Sequence, residues 1–145
     1  MTNAPQTCDV ICSATVTAAT ENVRRHLLAL AKVTLGLRGD FSIVYHLAAD
    51  RPDELPVGLT MHDHGPLTGA AYVAAAANAR IVVDLEDSTS QTARAARLAA
   101  LKQVNVHLLA EDGPAARAFL PPEVLFTTPE ALVDKVYAIL GQSAA

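Results

Sequence analysis

Two imidazoles and a carboxylate stand together in the segment His62-Asp63-His64. In an extended chain alternate side chains point the same way, so His62 and His64 would share one side with Asp63 opposite. This is equipment for moving a proton or binding a small polar ligand, because imidazole changes charge near neutral pH. No third ligand follows at the spacing of a metal motif, so no metal is expected. A second group, Asp84, Glu86, Asp87 and Ser88, lies where a strand turns into a helix. Acids and serine at a helix start satisfy unpaired N–H groups, which accounts for Asp87 and Ser88. Asp84 lies further back and is not explained as a cap. It therefore joins His62, Asp63 and His64 as a ligand-binding candidate.

Other reactive types read as structural. Cys8 and Cys12 are four apart on an expected strand and share a face, which suits buried free thiols. Ser13, Thr15, Thr17 and Thr20 supply hydroxyls after that strand, but no glycine lies among them to form a phosphate-cradling nest. Neither G-x-G-x-x-G nor a Walker sequence occurs, so a dinucleotide or ATP site is not expected and the cofactor is unknown. His26 and His107 are solitary and receive no role, and Arg94, Arg97 and Arg117 read as scattered.

Positioning these groups requires a scaffold, and its rhythm is regular. CDVICSATV is a strand by its β-branched bulk. Val23, Leu27, Leu30 and Ala31 then fall on one helical face, with Gly36 and Gly39 beyond. FSIVYHLA is a second strand, and residues 50–66, rich in proline and glycine, are irregular. LTGAAYVAAAANA reads as a helix and RIVVDLED as a strand. A helix capped by Ser88, Thr89 or Ser90 runs to about Lys102, followed by strand VNVHLLA, helix GPAARAFL and strand EVLFTT. The last helix has Thr128 as N-cap, Pro129 first, a stripe of Leu132, Val133, Val136, Tyr137 and Leu140, and Gly141 as its stop. Strand and helix alternate about five times, the pattern of a mainly parallel sheet covered on both faces. The expected fold class is α/β, a three-layer α/β/α sandwich of about five strands. It forms a single domain over 8–141, with disordered ends at 1–7 and 142–145.

The 145 residues are 51% hydrophobic and 18% charged, enough apolar bulk for one core and too little charge for a disordered chain. A net charge of -4 and no tryptophan argue against a nucleic-acid partner, which would use basic patches and aromatic platforms. No apolar run reaches spanning length and the start lacks a signal-peptide pattern, so no membrane partner and a cytoplasmic location are expected. The expected partner is another protein or a second copy, with the alanine-rich helix over 68–79 as one packing face.

Residues 57–140 resemble the later part of a STAS domain, the module of anti-anti-sigma factors, through RIVVDLEDS, VNVHLLA, GPAARAFL and VLFTTPEAL. That resemblance implies a phosphorylatable switch at Asp87-Ser88. Residues 20–90 are also similar to the start of a GAF sensory domain, through GDFSIVYHL, HGPLTG and RIVVDL. With no recognisable nucleophile–base pair or cofactor loop, the preferred reading is a non-catalytic regulatory or interaction module of bacterial signalling type, taking a small ligand at the carboxyl edge of the sheet. The alternative is a small-molecule enzyme with His62 or His64 as acid or base and Asp84 as orienter. In either case the 62–64 loop is expected beside Asp84, Asp87 and Ser88, since strand-to-helix junctions of a parallel sheet share one edge.

Overall fold

A computed structural model describes residues 8–16, 21–35, 43–49, 65, 67, 69–87 and 90–144. In chain order these form β1 (Cys8–Val16), α1 (Glu21–Leu35), β2 (Ile43–Ala49), α2 (Gly69–Ala76) and β3 (Ala79–Asp84). Then come α3 (Gln91–Leu101), β4 (His107–Glu111), α4 (Pro114–Phe119), β5 (Leu125–Phe126) and α5 (Pro129–Ala144). The five strands form one sheet in the order β2-β1-β3-β4-β5, and every neighbouring pair is parallel. This is the expected three-layer α/β/α sandwich, doubly wound: the chain moves outward to β2, then crosses back past β1 to β3.

Side-chain alternation along each strand divides the core. Val10, Cys12, Ala14 and Val16 of β1 join Ile81 and Val83 of β3 beneath α1 and α5, together with Leu27, Leu30, Leu132 and Val136. The opposite side chains, Ile11, Val82, Leu108 and Ala110, pack with Tyr72, Ala76, Leu98, Leu101 and Ala116 from α2, α3 and α4. Interior β3 is covered on both sides, so Ile81, Val82 and Val83 are all fully buried. Edge strand β2 instead alternates, with Ile43, Tyr45 and Leu47 buried and Val44, His46 and Ala48 half-buried.

Capping follows elementary hydrogen-bond chemistry. Ser90 is the N-cap of α3, its hydroxyl accepting from the Ala93 N–H at 3.1 Å. Thr128 does the same for α5 through the Ala131 N–H at 3.1 Å, with Pro129 in the first position as expected. Several boundaries differ from expectation: α2 ends at Ala76 and not Ala79, β3 ends at Asp84 and not Asp87, and β4 begins at His107 and not Val104. The last strand shrinks to Leu125–Phe126, because Pro121 and Pro122 lack donors and Pro122–Val124 forms a 3-10 turn instead. Helix α5 passes through Gly141 to Ala144, where a helix was not expected. A glycine costs only about 1 kcal/mol in a helix interior, and the stripe ending at Leu140 anchors the preceding turns.

Candidate functional site

In a doubly wound sheet, ligands bind outside the carboxyl ends of the strands where the winding reverses, here above β1 and β3. Register places a row of polar side chains across that position. Ser13 of β1 pairs with His46 of β2 on one side and Asp84 of β3 on the other. All three share a parity with Ile11 and Val82, so they stand on the face covered by α2 and α3.

Asp84 is fully buried and doubly countered. Arg94 of α3, itself fully buried, donates from Nε to Asp84 Oδ1 at 2.8 Å. Arg97, one turn on, donates from Nε to Oδ2 at 2.6 Å and from Nη2 to Oδ1 at 3.2 Å. These arginines, which sequence inspection read as scattered, converge because three residues along a helix is nearly one turn. Burial pushes the Arg97 guanidinium down, but the charge and hydrogen bond of Asp84 more than offset this and hold it above its ordinary value. Arg94 also donates from Nη2 to the Glu111 carbonyl at 2.8 Å, tying the ends of β3 and β4 together. Its buried Nη1 has no hydrogen-bond partner, with Glu86 Oε1 3.8 Å away.

A second polar group occupies the α1 side of the same edge. Glu111 accepts from the Glu86 backbone N–H at 2.8 Å and from Asn22 Nδ2 at 3.0 Å. Asn22 also donates to the Glu86 carbonyl at 2.7 Å. His26, to which no role was assigned, is buried below them with its ring edge-on to Phe126 at 5.1 Å. A carbonyl only accepts, so the 2.7 Å contact between His26 Nδ1 and the Asn22 carbonyl puts the proton on Nδ1. The signal was present in the sequence: His26 lies on the stripe of Val23, Leu27 and Leu30, four residues after Asn22.

Asp87 was expected as a helix cap. Instead Ser90 caps α3, and Asp87 Oδ2 accepts from the Thr15 N–H of β1 at 2.8 Å, closing the end of the β1–β3 pair. Tyr72 enters from the first turns of α2 with its buried hydroxyl unpartnered. Burial, then the negative charge of Asp84, push that phenol well above its ordinary range, and the same two causes push up the Cys12 thiol.

His62, Asp63, His64 and Ser88 lie outside the described residues, so their expected meeting with Asp84 and Asp87 is not described either. Gly65 is described, and its carbonyl lies 3.0 Å from His46 Nδ1. Among the described residues no three His, Cys, Asp or Glu side chains converge as a metal ion requires. None of the described helices is long and apolar enough to cross a membrane. Comparison with family models, curated proteins and solved structures finds no match for this chain.

Proposed function

We propose that this chain is a non-catalytic regulatory module of the bacterial signalling kind, taking a small polar ligand at the carboxyl edge above β1 and β3. The observation that supports it most is the engagement of Asp84 by two arginines. A general base needs a carboxylate lone pair free to take a proton, and both oxygens of Asp84 are already held by guanidinium groups. Glu111 and Asp87 are likewise committed to backbone N–H groups. Among the described residues at this edge, the carboxylates Asp84, Glu86, Asp87, Glu111 and Asp112 outnumber the guanidiniums of Arg94, Arg97 and Arg117. That balance favours a neutral or positively charged ligand over an anion. Ligand hydroxyl or amine groups would meet Ser13 and Tyr72.

The test is a thermal-shift panel of polyols, amines and carboxylates, with each stabilising compound checked afterwards by mass spectrometry. The proposal expects neutral or cationic compounds to stabilise the chain and to be recovered unchanged. A stabilising compound that is consumed would overturn the non-catalytic reading.

A second reading, an enzyme at the same edge, has one observation in its favour. His46 Nδ1 donates to the Gly65 carbonyl at 3.0 Å, and His46 stands beside Ser13 in register. Hydrolysis of a p-nitrophenyl ester that disappears in both Ser13→Ala and His46→Ala would favour it. Rates equal to buffer in all three proteins would dismiss it.

A further inference from the structure

The surface formed by α1 and α5 carries charges that pair with no partner among the described residues. A groove of about 530 Å³ runs between the two helices. Its floor is Leu28 and Val133, and Leu28, at 44% exposure, is the exposed large hydrophobic among the described residues. One wall is cationic, with Arg25 and Lys32 on α1, and the other acidic, with Glu130 and Asp134 on α5. None of these four enters an ion pair among the described residues. On the opposite face, α2 exposes Gly69, Ala70, Ala71 and Ala74 and so offers no charge to fix a register.

The geometry points to a second copy of this chain as the occupant of the groove, in a twofold-symmetric dimer. A self-complementary patch must present to its copy what it needs from it, and opposite charges on two sides of an apolar floor do so. Both helices start at the carboxyl edge and run back over the same face, and these residues line one groove between them. A twofold axis along the groove lays α1 of each copy over α5 of the other, with cations meeting carboxylates twice. An axis across the groove would stack α1 on α1, cation on cation. Charge therefore selects the first arrangement.

The experiment is light scattering on the full chain and on two charge-reversal variants, with circular dichroism to check folding. The parent is expected at twice the monomer mass. Arg25→Glu/Lys32→Glu and Glu130→Lys/Asp134→Lys are each expected to self-associate at least about tenfold more weakly, because like charges then face each other. Mixed in equal amounts, the two variants are expected to regain the dimer mass, since every facing pair is again opposite in sign. Leu28→Asp, an exposed position whose change spares the core, is expected to be monomeric. A monomeric parent, a reversal variant or Leu28→Asp that stays dimeric, or a folded mixture that fails to associate would each overturn the proposal.

Discussion

Replacing Arg94 by methionine removes the best-buried member of the charge cluster while keeping a similar apolar stem. Asp84 then loses the 2.8 Å donor on Oδ1, and the Glu111 carbonyl loses its 2.8 Å partner. Asp84 is fully buried, so water does not replace what is lost. Breaking a buried ion pair by deleting one partner costs about 3–5 kcal/mol. At about 2–4 °C per kcal/mol for a domain near this size, the melting temperature should fall by about 6–20 °C. Arg97 is the internal control: its side chain is 20% exposed, water reaches it, and Arg97→Met should cost about 1–2 kcal/mol. The double change Asp84→Leu/Arg94→Met removes both buried charges and should recover at least about 2 kcal/mol relative to additivity. Urea unfolding followed by far-ultraviolet circular dichroism is the assay, because the chain has no tryptophan. A loss below about 1 kcal/mol for Arg94→Met, or one no larger than for Arg97→Met, would refute the reasoning.

Further outcomes follow from local geometry. A Cβ at Gly113 would fall 2.7 Å from a Glu86 carboxylate oxygen, the far end of a side chain that can swing aside, so Gly113→Ala should cost less than about 1 kcal/mol by urea unfolding, and a larger loss would show Glu86 to be held in place. With Cys8→Ser leaving one thiol, Cys12 should stay unlabelled by iodoacetamide at pH 8 until denaturant is added, since burial holds the thiol protonated and out of reach; rapid native labelling would contradict its placement. Arg117 donates to Asp112 from Nε at 2.7 Å and from Nη2 at 2.9 Å, and the hydrogen bonding holds that exposed carboxyl below its ordinary value. A depressed carboxyl stabilises the fold above its unfolded pKa, and this contribution fades as the pH falls through the folded one. Arg117→Ala should move the Asp112 titration upward in an NMR pH series, and an unchanged midpoint would count against the pairing.

The scaffold was legible because its signals are local. Val10, Ile11 and Val16 mark a strand, Thr128-Pro129 opens a helix, and the alternation alone implies a parallel sheet. Boundaries failed where a local rule met context. Proline at 121 and 122 delayed β5, and Gly141 did not stop a helix already anchored by Leu132, Val136 and Leu140. The charge cluster was illegible for a different reason. Arg94 and Arg97 lie 10 and 13 residues from Asp84, and they meet it only because α3 folds back over the sheet. Asp87 likewise bonds to Thr15 across 72 residues of chain, through a strand pairing that no local pattern announces. Asp84, set back on its strand, carries no capping signal, and its arginine partners come from the fold alone.

The central claim is that the edge above β1 and β3 binds a ligand and performs no chemistry on it. The direct measurement is a ¹H–¹⁵N NMR titration with a compound that stabilises the chain, followed by a spectrum of the compound itself after prolonged incubation. At 100 times its dissociation constant such a ligand adds about 2.7 kcal/mol, so its effect is well above detection. The account predicts shifts concentrated at the amides of Ser13, Thr15, Tyr72 and Asp87, with the compound unchanged. Shifts confined to another face, or conversion of the compound to a product, would contradict it.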